Sequence, residues 1–212
     1  NANDFGSITQ ENTIDGIEII TIKHKLFTAS LSLYGGQVLS WQPKGHYDIF
    51  WLSKDAEFKE GTAIRGGIPI CWPWFGPKVN KEGVNGGNHG FARINTWQLD
   101  STDIIEDDVT IVISFASENE HELWPEKFSV QQTLVFSKSF YQQLKVSNLS
   151  KQAIQFSSAF HSYFFVSNPK HVQIKALENV FFDDKITSEA QQKDQLTNCI
   201  GPLDRIYYDN NE

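Results

Sequence analysis

FSVQQTLVFSKSFYQQLKV, residues 128–146, reads as two strands, Phe128–Phe136 and Phe140–Val146, folded back through Ser137-Lys138-Ser139. A hairpin this long makes antiparallel pairing the local rule, and the neighbouring sequence repeats the pattern. Upstream, Val109–Phe115 alternates apolar residues with Thr and Ser after the acidic turn Glu106-Asp107-Asp108. Ile17–Ile22, Thr28–Leu33 and Val38–Trp41 alternate or run apolar, with Gly35-Gly36 as a turn between the last two. Downstream, Ile154–Phe160 and His171–Leu177 continue the series, and the polar Ser188–Gln195 reads as a short turn or loop. Strands recur without helical patterns between them. The expected fold is all-β, an antiparallel β sandwich, formed as a single domain over residues 1–212.

Composition narrows the partners. The chain has 212 residues, 40% hydrophobic and 21% charged, with a formal net charge of −8. With a pI near 5.2, nucleic acid and anionic membrane are not expected as partners. No apolar run approaches the length of a membrane span. A small phosphate ligand needs only two or three local cations and stays open. Cys71 and Cys199 sit in no C-x-x-C or zinc-like spacing, so reduced thiols in a cytoplasmic protein are the simpler reading. No signal-peptide pattern is visible.

RGGIPICWPWFG, residues 65–76, is too broken by Gly66, Gly67, Pro69 and Pro73 to form a helix, and too aromatic for an ordinary loop. It reads either as a buried strand with a core-plugging turn or as the wall of a pocket. In the second reading Trp72, Trp74 and Phe75 supply apolar surface and Arg65 a planar charged fork. The Gly-, Asn- and Lys-rich loop Lys78–Asn88 then delivers His89-Gly90-Phe91-Ala92-Arg93, bringing a histidine and an arginine together.

Of six histidines, His89 and His161 stand out. Gly90 lets the backbone beside His89 approach a ligand closely. His161 lies among Phe160, Tyr163, Phe164 and Phe165, where an imidazole is costly unless hydrogen-bonded. It is either a satisfied core histidine or a functional one. No H-x-H or H-x-x-x-H pair exists, so no metal is expected. The G-x-S-x-G elbow, the P-loop and G-x-G-x-x-G are all missing, which removes the common hydrolase and nucleotide-binding readings.

Taken in order, RGGIPICWPWFG, HGFAR, FHSYFFV and LDRIYYD resemble the motifs of the hexose-6-phosphate mutarotases, or glucose-6-phosphate 1-epimerases. These form a branch of the aldose 1-epimerase (galactose mutarotase-like) family. GGQVLSW, FWLS at Phe50–Ser53 and LWPEKF at Leu123–Phe128 extend the likeness, which runs from about Leu26 to Asp209. The first two motifs are the specific ones. The resemblance implies an antiparallel β supersandwich and a cofactor-independent isomerase.

Residue by residue, the resemblance implies that His161 is the general acid and that His89 hydrogen-bonds the sugar ring. Arg65 is implied in contact with the phosphate or ring hydroxyls, Arg93 as a second arginine near the phosphate, and Asp204 as a carboxylate gripping ring hydroxyls. Trp72, Trp74 or Phe75 can cover an apolar sugar face. Ring opening at C1 requires a proton removed from the C1 hydroxyl and one given to the ring oxygen, and a histidine of near-neutral pKa suits the second task. The family's base is a glutamate in a late strand near the C-terminus. Nothing around Glu212 resembles that strand, so no base is assigned, and the sandwich is expected to lack its last strands in this chain. The expected activity is anomer interconversion of hexose 6-phosphates by a monomer. The alternatives are a non-catalytic sugar-phosphate binder and a mutarotase for unphosphorylated aldoses.

Overall fold

A computed structural model describes residues 1–79, 83, 85–117, 121–190, 192–193 and 199–208. The chain divides into two compact units, Asn1–Phe165 and Val166–Glu212.

The first unit opens with a five-stranded antiparallel meander: β1 (Ala2–Asn3), β2 (Gly6–Asn12), β3 (Glu18–His24), β4 (Phe27–Ser32) and β5 (Gln37–Pro43). Between β4 and β5 the backbone reverses at Gly35 and Gly36, with φ of 79° and 56°. A Cβ on Gly36 would stand 2.7 Å from the Trp97 ring, so both the conformation and the space require glycine.

Short strands follow: β6 (Ile70–Cys71), then β7 (Pro77–Val79) paired with β8 (Asn85–Asn88). Next comes the second large sheet, β9 (Gln98–Ile104), β10 (Val109–Ala116), β11 (Phe128–Phe136) and β12 (Phe140–Asn148), again an antiparallel meander. The hairpin expected from residues 128–146 forms in the register Phe136↔Phe140 through Phe128↔Asn148. Period-2 alternation turns Val130, Leu134 and Phe136 inward. They share one core with Ile20, Ile22, Leu31 and Val38 of the first sheet and with Val109, Ile111 and Ile113 of β10. The antiparallel sandwich expected from the sequence is thus present. Buried Gln132 reaches across it, donating from Nε2 to the Gly36 carbonyl at 2.7 Å and accepting from Gln142.

The second unit, described by itself, holds a three-stranded antiparallel sheet. In it β14 (Phe181–Asp184) lies between β15 (Gln192–Lys193) and β16 (Arg205–Tyr207), after β13 (Ala159–Phe160) of the first unit. Buried Asp184 accepts from the Ile186 and Thr187 amides and pairs with Arg205 at 3.2 Å, and these contacts hold its carboxyl below the usual range.

Two expected strands differ. Of Ile154–Phe160, only Ala159–Phe160 enters a ladder. The Ser157 amide bonds the Pro73 carbonyl, while its hydroxyl takes the Phe75 amide, so a side chain stands where a ladder bond would. His171–Leu177 is instead bracketed by two 3₁₀ turns, Pro169–His171 and Lys175–Leu177. Asn168 caps the first turn by accepting the Lys170 amide, and no face of the segment is buried to reward strand pairing. Within Lys78–Asn88, residues 80–82 and 84 lie outside the described residues. So do 191, 194 and 195 of Ser188–Gln195, and also Asp209 and Glu212. No helix among the described residues is long and apolar enough to cross a membrane.

Candidate active site

Residues 67–73 run between several partners. On one side β6 pairs with β13 in the register Cys71↔Ala159 and Ile70↔Phe160. The pairing extends through His161 N–H to the Pro69 carbonyl (3.0 Å) and Tyr163 N–H to the Gly67 carbonyl (2.8 Å). Elsewhere Ile68 N–H bonds Val38 of β5, Gly67 N–H bonds Trp51, and the Trp72 carbonyl takes the Phe91 and Ala92 amides. This lattice draws the motifs RGGIPICWPWFG, HGFAR and FHSYFFV together, although they are distant in sequence. Gly90 makes the approach of the second motif possible. It has φ of 68°, and a Cβ there would collide with the Trp72 carbonyl.

His89 and His161 meet with ring centroids 5.8 Å apart. The His89 backbone is left-handed, φ 66°, which is unusual for a residue with a side chain. Its amide bonds the Gly76 carbonyl (2.8 Å) and its Nδ1 accepts the Gly76 amide (3.1 Å). An Nδ1 that accepts a main-chain N–H carries no proton, so the neutral ring holds its proton on Nε2 and presents a donor there. Burial lowers the His89 pKa below its ordinary 6.5, and the charges of Arg93 and His161 push it the same way. His89 is therefore a neutral hydrogen-bond donor at neutral pH. The His161 ring lies 4.9 Å from that of Tyr163, tilted by 37°, and the residue is half-buried.

Arg93 closes the group. One terminal nitrogen donates to the Asn88 carbonyl at 2.7 Å, while its buried Nε has no partner. Among the described residues it forms no ion pair. A buried, unpaired guanidinium N–H is costly and suits a site that receives an anionic acceptor.

The other expected residues are placed differently. Arg65 is exposed, on backbone held by Gln37, whose Nε2 donates to the carbonyls of Ile64 (3.1 Å) and Gly66 (2.6 Å). Its guanidinium makes no hydrogen bond or ion pair with His89, Arg93 or His161. Trp72 is 0% exposed, wedged against Phe91, Trp124 and Phe128, and so cannot cover a ligand. For Trp72 the structure gives the core reading of the aromatic motif, because its ring packs among Phe91, Trp124 and Phe128. Trp74 is also buried. Asp204 lies in the second unit, exposed, with its carbonyl accepting the Lys185 amide at 2.7 Å. Glu212 is outside the described residues. Three groups had no signal in the sequence: the Gly76 amide, the Ser157 hydroxyl and the Asn88 carbonyl. Backbone pairing alone brings them to the site. Cys71, opposite Ala159, is a buried free thiol whose pKa burial raises.

The aldose 1-epimerase family model matches residues 18–212. A Salmonella typhimurium protein named "Putative glucose-6-phosphate 1-epimerase" is 32% identical over 204 residues, covering 94% of this chain and 66% of that protein. An Escherichia coli protein of the same name is 34% identical over 177 residues, covering 83% of this chain and 58% of its own. The crystal structure of a "putative mutarotase (YeaD)" from Salmonella typhimurium superposes with a TM-score of 0.83. It is 30% identical, and the match covers 98% of this chain and 68% of that one. The chain thus spans less than two thirds of the length of these two curated relatives.

Proposed function

The chain belongs to the aldose 1-epimerase family, and from that premise we propose that it interconverts the α and β anomers of hexose 6-phosphates, glucose 6-phosphate foremost. The observation that carries the phosphate is Arg93, with its buried Nε unpartnered, beside the His89–His161 pair. A guanidinium has five N–H donors for an anion, and among the described residues Arg93 has no carboxylate partner, with one terminal nitrogen held by the Asn88 carbonyl.

In this reading His161 gives its proton to the ring oxygen as the C1–O bond breaks, and a base takes the proton of the C1 hydroxyl to leave the open-chain aldehyde. Rotation about C1–C2 and the reverse proton transfers close the ring on the other face. His89, fixed as a donor through Nε2, holds a ring or hydroxyl oxygen in place. Trp72, buried, has no part in this. Arg65 keeps the contact to the phosphate or ring hydroxyls that the motif resemblance implies.

Among the described residues no ion pair joins His89 or His161 to a carboxylate. That observation favours a second reading, a sugar-phosphate binder that does not turn over. Exchange spectroscopy between the anomeric protons of glucose 6-phosphate separates the two. Exchange well above the spontaneous rate is expected. Binding without faster exchange selects the binder, and equal acceleration of glucose and glucose 6-phosphate removes the phosphate from the reading.

A further inference from the structure

Phe75 is the one aromatic of the Trp72-Pro73-Trp74-Phe75 run that reaches the surface. It is 47% exposed, whereas Trp72 and Trp74 are inside. Its ring centroid lies 4.8 Å from that of His89, which is itself 5.8 Å from His161. The Phe75 and His89 planes are inclined at 52°, so the two rings form a corner rather than a closed stack. Nothing in the core explains the exposure, since the buried cluster is complete with Trp72, Trp74, Phe91, Trp124 and Phe128.

The backbone under Phe75 is held on both sides. Its amide donates to Ser157 Oγ at 2.9 Å, and the next amide, Gly76, donates to His89 Nδ1 at 3.1 Å. Ser157 in turn is tied to the Pro73 carbonyl at 3.0 Å. Two successive main-chain amides therefore fix the seat of Phe75 and the tautomer of His89. A ring immobilised before binding loses little conformational freedom when a ligand arrives. An aromatic face beside a hydrogen-bond donor matches the two sides of a pyranose, which carries C–H bonds on its face and hydroxyls at its rim.

We infer that Phe75 is the platform that takes the C–H face of the hexose, and that it makes the site select a closed pyranose ring over an acyclic polyol phosphate. This rests on the reading that the site holds a hexose 6-phosphate. Phe75 orients the ring against His89 and His161 and transfers no proton.

The test uses the intact protein and its Phe75→Leu and Phe75→Trp variants, with inorganic phosphate as a probe of the anion site alone. In the wild type, the sugar C–H resonances of bound glucose 6-phosphate should move upfield under the ring current, and in Phe75→Leu that shift should vanish. The glucose 6-phosphate Kd should rise about three- to tenfold in Phe75→Leu and return towards wild type in Phe75→Trp, while inorganic phosphate binds all three alike. Glucitol 6-phosphate should lose nothing in Phe75→Leu. An unchanged glucose 6-phosphate Kd in Phe75→Leu overturns the platform while anomer exchange, if present, leaves the epimerase reading standing. A parallel loss of inorganic phosphate also overturns it, because Phe75 would then be shaping the anion site. Ring-current shifts without anomer exchange sustain the platform and remove the epimerase. A wild type that binds no hexose overturns both.

Discussion

Residues 65–76 and 156–165 are both rich in aromatic side chains, the second more so, are hydrogen-bonded to each other, and end up in opposite environments. In the first, Ile68, Ile70, Trp72 and Trp74 are all buried. In the second, Phe160 is 42% exposed and Phe164 63%. The difference is one of neighbours. Residues 67–73 have partners on several sides, from Val38, Trp51, Phe91 and the 157–163 segment. Residues 156–165 bond to residues 67–73, and only near Tyr163 and Phe165 do they also meet the Ile49–Trp51 backbone. Aromatic content thus does not decide burial; the number of flanking elements does. A segment that is not buried on both faces can spare His161 for a ligand, while the buried one supplies the rigid support.

The largest effect should come from the buried segment. Trp72→Ala removes a wedge between the sheets and should cost about 3–5 kcal/mol of unfolding free energy, read from the denaturant midpoint. A loss near that of a surface substitution would mean that the two segments do not differ as described. Next, His161→Asn should leave thermal stability and glucose 6-phosphate binding close to wild type and lower kcat at least about a hundredfold. Near-normal turnover would return His161 to the role of a core histidine.

Arg93→Ala tests the anion contact beside the His89–His161 pair. It should weaken glucose 6-phosphate by roughly 1.5–3 kcal/mol and glucose far less, measured by titration of both sugars. An equal loss for both would assign Arg93 to the ring or the fold.

His89→Asn is a smaller change and tests the lowered pKa. A histidine whose folded pKa lies below its unfolded one is protonated first in the unfolded chain. Its neutral form therefore supports folding above about pH 6.5, and that support drains as pH falls from there towards the folded pKa. His121 acts in the same direction, its pKa lowered mainly by burial and then by Lys78. Asn tolerates the left-handed backbone and can still accept the Gly76 amide. The variant should lose stability less steeply between about pH 7 and pH 5 than wild type, as followed by urea midpoints. A slope as steep as that of wild type would show that His89 does not titrate with folding. Smallest of all, Phe164→Ser should shift stability by no more than about 0.5 kcal/mol. A shift approaching that of Trp72→Ala would erase the contrast between the two segments.

The sequence by itself determined the strands that bury one face. Phe128–Phe136 and Val109–Ala116 carry the period-2 pattern in their own residues, and the Gly35-Gly36 turn is required by chain geometry. β2 and β9 escaped notice because their side chains are mostly polar and outward, and they are strands through their partners. The motifs also named His89, Arg93 and His161, whose residue types carry their chemistry. Tertiary structure alone decided which aromatic of 72–75 faces outward. It also decided that His89 accepts the Gly76 amide and so donates through Nε2, and that Arg93 is left with a buried free donor. These depend on backbone pairing between residues about 13 to 90 positions apart. A residue's chemistry is local to its side chain, whereas its burial, tautomer and partner are set by whatever the register brings against it.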